Sequence, residues 1–167
     1  MLDWVQEVIA RHRVNGILAD ANVLLLLLVG SFDRDRIARF KNTEKFAPED
    51  YDLLVGLLGQ FEKTIATPHI LAEVSNLAGQ LGEPARSACL SRFALIIEQL
   101  VEEGVPSVTA AREPVFRRLG LTDAGIAHLV AGKYPVVTTD SVLCEYLLGR
   151  GVDAINFNYL RRLGWST

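Results

Sequence analysis

Apolar positions in this chain follow two rhythms. Short, largely apolar runs at Ile17-Leu18-Ala19, Thr64-Ile65-Ala66, Val136-Val137-Thr138 and Val152 to Phe157 have the length of strands covered on both faces. Between them, apolar residues recur at helical spacing. Asp3 to Arg13 predicts an amphipathic helix with Trp4, Val5, Val8 and Ile9 on one side. Asn22 to Val29 predicts a buried helix, although a leucine run alone does not separate helix from strand. Ser31 to Lys45 is charged, with room for a short helix. Pro48 suits a first helical turn, Glu49 and Asp50 favour the helix dipole, and Leu53, Leu54, Leu57, Leu58 and Phe61 form the stripe.

The second half continues the alternation. Thr67-Pro68 opens a helix carrying Glu73. Another begins at Pro84, buries Leu90, Phe93, Ile97 and Leu100, and stops at Gly104. Ser107-Val108-Thr109 reads as an edge strand, and Thr122 as the cap of the helix holding Asp123. A helix after Asp140 runs through Leu147 and ends in Gly149 and Gly151. Strands alternating with helices predict a three-layer α/β/α fold around a central parallel sheet of about five strands, with right-handed crossovers. In such sheets ligands bind beyond the carboxyl ends of strands, where strand order reverses.

The 167 residues suit a single domain over residues 1–167, and half of them are hydrophobic, which excludes a disordered chain. The densest apolar stretch, Ile17 to Val29, is broken by Asp20 and Asn22 and is shorter than the ~18–20 residues of a membrane span. No membrane association is expected. No basic segment with a small-residue cleavage site opens the chain, and Cys89 and Cys144 sit in apolar helical patterns. Buried free thiols in a reducing cytoplasm are the expectation. A formal net charge of −3 argues against a protein held on nucleic acid by its overall charge. The bases cluster locally, at Arg34 to Lys45, at Arg112 to Arg118, and at Arg161 and Arg162.

Four acids mark the ends of these elements. Asp20 closes the first strand and Asp140 a later one. At about 100° per residue, Asp123 falls within its helix's apolar stripe and Glu73 borders the buried face of its own. Each has a plain alternative: Asp20 and Asp140 as turn or capping residues, Asp123 as a helix-dipole partner, Glu73 as a solvated glutamate. Together they point to a shared cation, because four gathered carboxylates repel unless protonated or neutralised. An all-oxygen set suits Mg²⁺ or Mn²⁺ rather than zinc. Such ions activate water and stabilise a leaving oxygen, so hydrolysis of a phosphodiester needs no side-chain nucleophile. Asn22 and Thr138, two residues from Asp20 and Asp140, are candidates to orient carboxylates or metal waters; each reads equally as a cap or ladder residue. His128 projects away from Asp123 and reads as a surface or packing residue.

These residues resemble the PIN-domain nucleases. The match lies in Asp20-Ala21-Asn22, in Thr67 to Glu73, in Leu121-Thr122-Asp123-Ala124-Gly125-Ile126-Ala127, and in Val136 to Asp140, in that order over roughly residues 16 to 160. The resemblance implies a metal-dependent ribonuclease with Asp20, Glu73, Asp123 and Asp140 as catalytic and metal-binding acids, supported by Asn22 and Thr138. It also implies an RNA substrate and, in many relatives, a toxin silenced by an antitoxin-like protein partner. The chain departs from the compact toxin pattern by a helical N-terminal extension at 1–15 and an enlarged helical insertion at about 31–61. An alternative is a non-catalytic binding or regulatory subunit on the same fold. A third reading, a phosphoacceptor at Asp20, leaves Glu73 and Asp123 unexplained. The apolar excess and the amphipathic N-terminal segment predict a homodimer.

Overall fold

The structure is a computed structural model that describes residues 3–165. Five parallel strands form one sheet: β1 (Ile17–Ala19), β2 (Thr64–Ala66), β3 (Val101–Glu102), β4 (Val136–Thr138) and β5 (Ala154–Asn156). Their order is β3-β2-β1-β4-β5. Among the described residues ten α-helices surround the sheet: α1 (Asp3–His12), α2 (Ala21–Phe32), α3 (Pro48–Leu58), α4 (Pro68–Ala78), α5 (Ala85–Gln99), α6 (Ser107–Ala110), α7 (Phe116–Leu119), α8 (Leu121–Val130), α9 (Ser141–Gly149) and α10 (Phe157–Leu163). This is the three-layer α/β/α architecture expected from the alternating pattern.

The strand order has a consequence for function. From β1 the chain moves outward through β2 to β3, then returns to place β4 on the other side of β1. The order therefore reverses between β1 and β4, and the crevice beyond their carboxyl ends is where open α/β sheets place ligands. Leu18 and Ala19 pair in register with Val136 and Val137. Asp20 thus emerges beside Thr138.

Every residue of β1 and β4 is buried, as expected for strands covered on both faces. α2 packs beneath them with Val23, Leu25, Leu26, Leu28 and Val29 fully buried. Gly16 links α1 to β1 at φ +103°, where a Cβ would lie 2.6 Å from both the Lys63 carbonyl oxygen and Ile65 Cδ1. The segment between α2 and α3 contributes Ile37, Phe40 and Phe46 to the core, so the insertion packs onto the sheet's own layers. The apolar face of α1 (Val5, Val8, Ile9) is buried in the same cluster. It is therefore used within the protomer, which removes one of the two grounds for a homodimer.

Several boundaries differ from the sequence-based expectations. Ser107-Val108-Thr109 is the helical turn α6, closed by Thr109 and Ala110 N–H groups donating to the Pro106 carbonyl. The edge strand is Val101–Glu102, since Leu100 turns extended after Gln99 and Glu103 N–H donates to Ala66. α5 consequently ends before Gly104, and Leu90, Ile97 and Leu100 are only partly buried. α8 starts two residues early: Gly120, at φ +87°, is its cap, and Thr122 lies inside the first turn. Val152 lies in the turn after α9, its N–H donating to the Leu147 carbonyl, and Phe157 begins α10 because the Asn156 side chain caps it. Cys89 and Cys144 are buried free thiols. Among the described residues no helix is long and apolar enough to cross a membrane.

Candidate functional site

Asp20 and Asp140 stand on neighbouring strands at the reversal point, joined by one hydroxyl. Thr138 Oγ1 donates to Asp20 Oδ2 at 2.7 Å and accepts from the Asp140 N–H at 3.0 Å. Thr138 is fully buried and Asp20 is 6% exposed. The other oxygen of Asp20, Oδ1, accepts from the Ala21 N–H at 2.7 Å. Asp140 Oδ1 accepts from the N–H groups of Val142 and Leu143 at the start of α9. Both aspartates therefore do cap the helices that follow their strands, as the plainer reading of each held. Asp140 Oδ2 has no hydrogen-bond partner among the described residues.

Asp123 and Glu73 approach from the helical layer. Asp123 is half-buried in the first turn of α8, and Glu73 is exposed on α4, which packs against α8 and α2. Asp20 and Asp123 feel the charges of their neighbours. Burial, then the charges of Asp20, Asp140 and Glu73, push the Asp123 carboxyl from 3.8 up to about 7. Burial also raises the Asp20 carboxyl; Thr138 and Ala21 hydrogen bonds oppose this, and Glu73 and Asp140 add to it. Asn22 is half-buried in the first turn of α2, and its side chain bonds to no described residue.

The donor chemistry suits a hard divalent cation: carboxylates and a neutral amide, with mutual repulsion that positive charge would relieve. The geometry is less advanced. Among the described residues, no three aspartate, glutamate, histidine or cysteine side chains are placed to clasp an ion. The fit is thus one of donor type and charge rather than of a preformed cage. Glu73, being exposed, is the member with freedom to turn inward.

Other residues near this edge were not singled out as functional from the sequence. Asn156 pairs in register with Thr138, so it occupies on β5 a position beside those of Asp20 and Asp140. The same rule, a polar residue closing an apolar strand, would have found it. His69 meets Ser107 Oγ at 3.0 Å, while its Nδ1 is buried without a partner. His128 is an exposed partner of Glu113 at 2.7 Å, in keeping with a surface role. Comparisons with protein-family models, curated proteins and solved structures find no match, so the functional reading rests on the carboxylate edge and the fold that presents it.

Proposed function

We propose that the protein hydrolyses phosphodiester bonds in RNA at the β1–β4 edge, with Mg²⁺ or Mn²⁺ held by Asp20, Glu73, Asp123 and Asp140. The observation that carries this reading is the placement of Asp20 and Asp140 at the strand-order reversal, coupled through Thr138 and in electrostatic reach of the other two acids. When bound, the ion would supply an activated water and a Lewis acid for the phosphoryl oxygens. The chain's own residues prepare the site. Thr138 and the Ala21 N–H orient both oxygens of Asp20. The α9 N–H groups hold Asp140 by one oxygen and leave the other to face a ligand. Asp123, which retains its proton up to about pH 7, would release it as a cation enters. Asn22 would orient a water or substrate oxygen. An antitoxin-like partner and a homodimer belong to the same proposal.

The test is cleavage of a mixed-sequence single-stranded RNA in Mn²⁺. Asp20→Asn and Asp140→Asn abolish cleavage while circular dichroism stays native; activity that survives both changes refutes the reading. A second reading, a non-catalytic binding subunit, draws support from the capping roles of Asp20 and Asp140, which use both side chains without a metal. Tight protein-partner binding without metal-dependent cleavage would favour it.

A further inference from the structure

A cleft of about 570 Å³ adjoins the carboxylate edge on its β5 side, between α10 and the start of α3. Its wall includes Ser141, Asn156, Asn158, Arg161, Arg162 and Asp50. Three of its residues neighbour the acidic site. Ser141 follows Asp140 directly, Asn156 pairs beside Thr138, and Asn158 Nδ2 donates to the Thr139 carbonyl at 3.1 Å. A strand leaving the β1–β4 crevice across β4 would enter this cleft next.

The charges in the cleft divide into a spent pair and a free cation. Arg161 bonds Asp50 at 2.8 Å, Asn158 Oδ1 at 3.0 Å and the Lys45 carbonyl at 2.7 Å, and its guanidinium lies 4.9 Å from the Phe46 ring centre. Those contacts tie the insertion to α10 and cancel both charges. Arg162 has no carboxylate partner among the described residues. It is exposed, and its guanidinium rests 5.9 Å from the centre of the Tyr159 ring. Lys45 flanks the cleft with its ammonium 5.2 Å from the Phe46 ring centre. An unpaired arginine beside amide and hydroxyl donors is the chemistry that holds phosphate oxygens. The chain carries a formal net charge of −3, so such binding must be local rather than global.

We infer that this cleft, walled by Arg162, Asn156 and Ser141, binds the sugar–phosphate backbone of a single-stranded RNA beside the bond the carboxylates address. The inference rests on the nuclease reading for the choice of RNA, so its test is binding rather than cleavage. The probe is a fluorescein-labelled oligouridylate, titrated with the full chain in EDTA across a salt series and read by fluorescence anisotropy. Wild type binds. Arg162→Ala weakens binding about tenfold and lowers the slope of log affinity against log salt by about 0.7, the loss of one single-strand phosphate contact. Arg162→Lys keeps the slope. Lys133→Ala removes the same charge in the turn before β4, at the opposite end of the sheet, and leaves both quantities unchanged. No binding by wild type, or equal effects of Arg162→Ala and Lys133→Ala in natively folded variants, overturns the inference. Binding with these responses but no cleavage in Mn²⁺ removes the nuclease reading and leaves the cleft assigned.

Discussion

Replacing Asp123 by asparagine separates the cost of gathering four carboxylates from its use. Burial and three neighbouring charges hold the Asp123 carboxyl near 7 in the folded chain, against 3.8 for the unperturbed group. Between those values the folded state keeps a proton that the unfolded state has lost. Folding is therefore opposed progressively as pH rises through that window, and the full penalty is present above it. The gap of about three units corresponds to at most ~4 kcal/mol. Asp123 is only half-buried, and solvent screening reduces this to about 2 kcal/mol. Asparagine keeps the shape without the charge. In EDTA at about pH 8, Asp123→Asn should raise Tm by about 5 °C for a chain of this size. At about pH 5 wild-type Asp123 is already protonated, and the two proteins should melt together within about 1 °C. Excess Mn²⁺ should then raise the wild-type Tm and leave the variant unchanged, reversing their order. Scanning calorimetry at the two pH values, with and without Mn²⁺, measures all of this. A Tm gain of equal size at both pH values would refute the reasoning, because the effect would not then be ionisation. So would a variant less stable than wild type at pH 8 in EDTA.

Three further outcomes follow from the same geometry. Thr138→Val removes the hydroxyl shared by Asp20 and the Asp140 N–H, leaving a buried carboxylate oxygen and a part-buried N–H unpaired; it should cost about 2–3 kcal/mol in urea melts and weaken Mn²⁺ binding at least ~10-fold by calorimetric titration. Gly16→Ala forces a side chain into φ +103° against the Lys63 carbonyl; a loss above ~2 kcal/mol, or failure to accumulate folded protein, is expected by circular dichroism. Light scattering across micromolar concentrations should report a dimer, and a monomer throughout would end that proposal.

How far the sequence could be read depended on where an element's stability comes from. β1, β2 and β4 lie at Ile17–Ala19, Thr64–Ala66 and Val136–Thr138, the residues their short runs mark. Strands buried on both faces leave that signature in composition. β3 leaves none: Val101 and Glu102 are both exposed, and only pairing with β2 makes them a strand. The same holds for Phe157, whose β-like sequence is drawn into α10 by the Asn156 cap and by full burial. The positions of Asp20 and Asp140 at the carboxyl edge were legible because each follows an apolar strand run, and the same placement makes each the cap of the next helix. The Thr138 hydroxyl that joins them was a candidate whose role only register could define. The clip from Arg161 to Asp50 was invisible, because its partners are 111 residues apart and each looks like an ordinary helix-surface charge.

Cleavage as proposed requires the four carboxylates to gather a divalent cation. The direct measurement is a titration of Mn²⁺ into metal-free protein at about pH 8, above the Asp123 transition, followed by the electron paramagnetic resonance signal of the free ion. Wild type is predicted to bind, suppressing the free-ion signal, and Asp20→Asn and Asp123→Asn to bind far less. A free-ion signal that wild type leaves unchanged, or that all three proteins suppress equally, would contradict the account.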